Sequence, residues 1–114
     1  MIIKELSDAP SFELSGITHV KKRIVLGPSD GSQEIVLRYF SLESGGATPY
    51  HAHDFPHLVK IEAGKGSVKD SKGNEYQLKA GNYIHINDNE THQFKNTGSE
   101  LFEFICIVPR RGEG

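Results

Sequence analysis

Turn-forming residues cut this chain into pieces too short for a helix. Gly27-Pro-Ser-Asp-Gly31, Ser44-Gly-Gly46, Gly64-Lys-Gly66, Asp70-Ser-Lys-Gly-Asn74, Asn87-Asp-Asn89 and Asn96-Thr-Gly-Ser99 recur at short, even intervals. Such residues favour turns because Gly and Asn reach the left-handed backbone region and Pro fixes its own φ. Between them lie runs rich in Val, Ile, Phe and Tyr, at residues 22–26, 34–42, 58–62, 75–78, 83–86, 92–95 and 101–108. Their composition and length predict strands. No long window carries an apolar stripe at helical spacing without an interrupting Gly or Pro. The expected class is all-β, a sandwich or barrel with little or no helix.

The last of these runs carries a second message. Phe102, Phe104, Cys106 and Val108 form one apolar face, while Leu101, Glu103, Ile105 and Ile107 form another that is too apolar to be left in water. Something is expected to cover it, either the N-terminal arm or a second subunit in a symmetric homodimer. A chain of 114 residues supports one core. The expected division is an arm over residues 1–20 that packs on the barrel or on a partner, a single barrel over residues 21–110, and a tail over residues 111–114.

Charge gives no sign of a polyanionic partner. The formal net charge is −2, from 13 basic and 15 acidic residues spread along the chain, so neither nucleic acid nor an anionic membrane is an expected partner. Lys21-Lys22-Arg23, the one basic cluster, reads as a solvated strand end. The opening residues lack the apolar core of a signal peptide, and no stretch approaches the ~20 apolar residues of a membrane span. A single cysteine excludes an internal disulfide. A soluble protein of the reducing cytoplasm is expected.

Four of the six histidines, His51, His53, His57 and His92, have the spacing of metal ligands. In extended chain His51 and His53 point to one side. His57 starts an odd-numbered set with Val59 and Ile61, and His92 shares a face with Phe94. Imidazoles crowded into an apolar interior are costly to bury unless a cation organises them. His85 reads as an ordinary strand histidine and His19 as a surface residue. Cys106 reads as a small buried hydrophobe. Arg38, by default an outward strand charge, is a candidate to hold a substrate carboxylate. Asp54, Glu62 and Glu90 read as solvated.

These residues carry a resemblance. Gly46-Ala-Thr-Pro-Tyr-His51-Ala-His53-Asp-Phe-Pro-His57, running on to Gly64, resembles the first cupin motif, and Gly81 through His92 to Asn96 resembles the second. Where the family usually has Glu, this chain has His57, with Leu58 at the alternative spacing. Asn87 and Asn89 stand at the usual proline and glycine positions, and Asn tolerates the left-handed conformation glycine would supply. The resemblance implies the small, single-domain four-histidine subclass. It also implies a double-stranded β-helix, or jelly roll, forming a homodimer, with His51, His53, His57 and His92 around one divalent cation per subunit. Imidazole suits Mn, Fe, Ni, Cu and Zn alike. The expected activity is that of an oxygenase of dioxygenase type on a small enolizable or aromatic molecule that chelates the metal, with Phe94, Phe104 and Cys106 lining the pocket. The alternatives are a non-catalytic small-molecule or metal-binding module and a Lewis-acid isomerase or cyclase.

Overall fold

The computed structural model describes residues 1–14 and 16–113. Ser15 of the expected arm and Gly114 of the expected tail lie outside them. The described residues form nine strands: β1 (Ser11–Glu13), β2 (Val20–Leu26), β3 (Ile35–Leu42), β4 (His57–Ala63), β5 (Lys65–Lys69), β6 (Glu75–Lys79), β7 (Tyr83–Ile86), β8 (Gln93–Asn96) and β9 (Phe102–Pro109). They make a six-stranded sheet in the order β1-β2-β3-β9-β4-β7 and a three-stranded sheet in the order β6-β5-β8. Every neighbouring pair is antiparallel. The helical content of the described residues is three single 3₁₀ turns, at Leu6–Asp8, Pro28–Asp30 and Arg110–Gly112. Among the described residues no helix is long and apolar enough to cross a membrane.

A period of two along the long strands builds the interior. Val36, Arg38, Phe40 and Leu42 of β3 turn inward, as do Phe102, Phe104, Cys106 and Val108 of β9. With Val20, Val59, Ile61 and Phe94 the apolar members of these sets make one core. Full burial of one such phenylalanine contributes roughly 2–3 kcal/mol. Phe104 lies between Phe40 and Phe94, with ring centroids 5.2 and 4.6 Å away, so an aromatic wall runs from the core toward the His92 end of β8.

Two strands, β1 and β5, fall outside the runs that the pattern marks. All three residues of β1 are exposed, so it has no apolar alternation to show. In β5, Gly64-Lys-Gly66 reads as a turn, but only Gly64 has left-handed φ, +80°. Gly66 is a strand residue whose missing side chain makes room for Phe102, since a Cβ there would sit 2.5 Å from that ring. Asn89 does adopt φ +62°.

The arm is tied along the barrel. Lys4 Nζ donates to Val25 O at 2.9 Å and pairs with Asp30 at 3.1 Å, and the Arg23 guanidinium donates to the carbonyls of Leu6 and Ala9. Met1 and Ile2 border a groove beside Leu37 and Ile107. Much of the outer sheet face stays open, with Ile35, Leu58 and Tyr83 all more than half exposed.

Candidate metal centre

His51 and His53 lie on the irregular segment between β3 and β4, not in a strand. An isolated antiparallel bridge between His51 and His92 fixes this segment. Its two hydrogen bonds are His51 N to His92 O at 3.2 Å and His92 N to His51 O at 2.9 Å. Further along, Thr48 Oγ1 accepts from Phe94 N at 2.9 Å. His53 stacks on Phe55, with centroids 4.7 Å apart and planes 10° apart. Asn96 anchors the far end of β8 by donating to Leu42 O and Glu100 O at 2.8 and 2.7 Å.

The segment and the strand bring three imidazoles together. One ring nitrogen from each of His51, His53 and His92 falls within 4.8 Å of the others. The Nε2 atoms of His51 and His53 are 3.0 Å apart. His92 Nδ1 donates to Glu90 O at 2.8 Å, which orients the ring and leaves its Nε2 as a lone pair. His57 enters from β4, with its ring centroid 4.9 Å from that of His92 and 5.2 Å from that of His53. Its Nε2 is buried and has no hydrogen-bond partner, whereas Nδ1 lies 3.3 Å from Cys106 Sγ. Arg38 Nη2 donates to the same sulfur at 2.9 Å. His57 Nδ1 also lies 3.5 Å from Arg38 Nη2, so this edge of the ring is held between the sulfur and the guanidinium while Nε2 is left without a partner.

His57 stands outside the group of three whose ring nitrogens converge, although its buried Nε2 has no partner, a costly state for a polar atom. These residues fit a borderline dication such as Mn, Fe, Ni, Cu or Zn, and they bring no carboxylate to offset its charge. The electrostatics agree. Burial, then the nearness of His92 and Arg38, pushes His57 down to about 3, and burial followed by His53 and His92 takes His51 to about 4. His53 is lowered mainly by burial. All three are held as the neutral, metal-binding form.

A stability consequence follows for the metal-free protein. Folded values below the ordinary ~6.5 mean the unfolded chain takes up protons first. Stability present at about pH 7 is therefore lost as pH falls through 6.5 toward the folded values. His57, only 5 % exposed, accounts for about 2 kcal/mol of loss by about pH 5, and the less buried His51 adds less. Urea midpoints of chelator-treated protein should fall accordingly between these two pH values. A flat midpoint would show that the imidazoles titrate normally.

The imidazoles line a cavity of about 190 Å³ whose walls include Phe40, Phe94, Phe104 and Cys106. Burial raises the Cys106 thiol, opposed by Arg38. Two readings of charged residues need correction. Arg38 is no outward charge: it shares the inward parity of Phe40 and lies 8 % exposed in the cavity wall. Lys22 is no solvated strand end either, because it faces the same cavity, while Arg23 holds the arm. His85 is exposed on β7, and His19 is exposed with its ring 3.6 Å from Glu43. Glu113, which the sequence did not mark, pairs with both Lys22 and Arg38.

Comparison with known proteins agrees with this architecture. At 27% identity over 119 aligned positions the chain is similar to auxin-binding protein 1 of Arabidopsis thaliana, covering 96% of this chain and 59% of that one. The chain thus spans about three fifths of the length of that relative. In structure it is similar to the polyketide cyclase RemF of Streptomyces resistomycificus, with TM-score 0.91, 22% identity, and 96% of this chain and 80% of that one covered. It is also similar to a predicted oxalate decarboxylase of Thermotoga maritima, with TM-score 0.82, 20% identity, and coverage of 95% and 98%. The family model described as "Cupin domain" matches residues 38–108, which include His51, His53, His57 and His92, and the chain belongs to the cupin family.

Proposed function

We propose that His51, His53, His57 and His92 together hold one divalent transition metal, and that the protein is an enzyme acting on a small enolizable or aromatic molecule that chelates it. The observation that carries this is the buried, unpartnered Nε2 of His57 beside the three converging imidazoles. A metal held by neutral nitrogens alone keeps its full charge, so it supplies Lewis acidity and an attraction for anionic ligands. The chain's own part is to orient the ligand and exclude water. Phe40, Phe94 and Phe104 form an apolar wall, and Arg38 and Lys22 add positive charge beside it.

Oxygenation by dioxygen is the first reading, because the acidic side chain at the cavity's edge, Glu113, is held in ion pairs with Lys22 and Arg38 and is not free to serve as a proton-transfer group. Lewis-acid cyclisation or isomerisation is the second. It is favoured by the close likeness of fold to RemF, itself a polyketide cyclase. Metal analysis of protein purified without chelators, paired with oxygen uptake over a panel of enolizable and aromatic compounds, separates them. A redox-active metal with substrate-dependent uptake supports the oxygenase. Turnover without uptake supports the Lewis acid, and reversible binding without turnover would reduce the protein to a binding module.

The open outer face favours a homodimer. Ile105 and Ile107 are half-buried there, flanked by exposed Ile35 and Leu58. Ile107→Glu should weaken association at least tenfold by light scattering while the barrel stays folded. A wild-type monomer at micromolar concentration would rule the dimer out. A lone buried thiol, Cys106, is compatible with a cytoplasmic protein.

A further inference from the structure

Two cations and one carboxylate meet at the edge of the cavity. Lys22 Nζ is 2.7 Å from Glu113 Oε2, and Arg38 Nη1 is 3.4 Å from Glu113 Oε1. All three side chains are 14 % exposed or less. Lys22 and Arg38 are set by strand parity, on the inward faces of β2 and β3, where Lys22 pairs with Phe40 and Arg38 with Cys106. Glu113 has a different support. It follows the 3₁₀ turn Arg110–Gly112, held by its own N–H to Arg110 O at 3.0 Å and by Gly112 against Phe55.

The pairing leaves the cations under-satisfied. Arg38 is nine-tenths buried and its Nε has no partner; besides Glu113, its guanidinium meets only weak acceptors, the Cys106 sulfur, the Phe40 ring face at 5.1 Å and the His57 ring edge. One carboxylate, that of Glu113, is shared between two positive groups, and no further acidic side chain lines the cavity among the described residues. A second anion, or a better-placed one, would be favoured there. Arg38 Nη2 also lies 3.5 Å from His57 Nδ1, so this positive edge begins one imidazole's width from the unpartnered Nε2.

We propose that Lys22 and Arg38 form a carboxylate-binding subsite, that Glu113 occupies it as an internal stand-in, and that the ligand of this cavity carries a carboxylate that displaces Glu113. This deepens the functional reading above and rests on the cavity being the ligand site, though not on the metal. The ligand's carboxylate takes the place of the Glu113 side chain, and its apolar body lies over Phe40 and Phe104 toward the histidines. Displacement requires only the last turn to move, because the cations stand on sheet strands.

Calorimetric titration with benzoate, acetate and the neutral isostere benzamide tests this on the purified protein and on E113Q and K22M. Removing the internal competitor in E113Q should tighten benzoate about tenfold, and removing a cation in K22M should weaken it about tenfold. Benzamide should change less than about twofold across all three. Repeating the comparison after chelation separates the subsite from direct coordination by a metal. Metal content of the same samples tests the metal reading on its own. The subsite is overturned if benzoate affinity is equal in wild type and E113Q, or if benzamide shifts as far as benzoate. No binding of benzoate or acetate to E113Q at about 20 mM also overturns it. If E113Q only lowers the melting temperature and leaves benzoate unchanged, Glu113 is a structural clasp and the proposal fails. E113Q carries the decision even where K22M does not fold.

Discussion

Replacing His51 and His53 together by Ala is expected to take bound divalent metal from about one equivalent per chain to below about a tenth. The two Nε2 atoms are 3.0 Å apart, so the double change removes one whole side of the ligand set. It leaves only His92 and His57, which alone cannot complete a four-nitrogen site. Because the site forms only in the folded chain, saturating metal at about a thousandfold above its dissociation constant adds roughly 4 kcal/mol of stability. That increment should vanish in the double variant, with metal content read by elemental analysis and stability by urea unfolding. Full occupancy in the variant would remove the assignment. His57→Ala distinguishes three ligands from four: weaker but measurable binding is expected, and wild-type affinity would take His57 out of the set.

The largest structural effect is expected at Gly64→Ala. Gly64 has φ +80°, and a Cβ there would lie 2.1 Å from Leu101 O and 3.0 Å from Phe102 Cα. Both obstacles are backbone, so no side chain can swing away. Left-handed alanine costs about 1–2 kcal/mol, and the enforced shift of the Leu101–Phe102 backbone brings the total to about 3–5 kcal/mol. Gly73→Ala is the control. It has the same left-handed backbone, φ +83°, but nothing within 4 Å of the added carbon, so about 1–2 kcal/mol is expected. Equal urea midpoints for the two variants would refute the clash.

Most strands, and the inward turn of His57 and His92, could be read from the chain because each rests on a local period, whereas His51 and His53 lie on an irregular segment and were marked by their spacing alone. The set His57, Val59 and Ile61 is buried as alternation requires, and so is the set His92, Phe94 and Asn96. The same rule, applied to Val36-Leu37-Arg38-Tyr39-Phe40, would have turned Arg38 inward. A prior that strand charges face solvent hid it. β5 was masked by a glycine whose cause, the ring of Phe102, lies 36 residues away in sequence. Glu113 had no local signal at all. Its partner Lys22 is 91 residues distant, and only the closed barrel brings them together.

β9 serves two surfaces with one backbone. Phe104 and Cys106 look into the cavity while Ile105 and Ile107 look out, and the strand is pinned on both sides by β3 and β4. Substitution at any one position changes one surface only, but a single-residue insertion or deletion would exchange them, sending the aliphatics to the imidazoles and the aromatics to water. This strand is therefore free to drift in chemistry and locked in length. Ligand preference and self-association can change independently along it, one side chain at a time, with no step at which the barrel must be rebuilt.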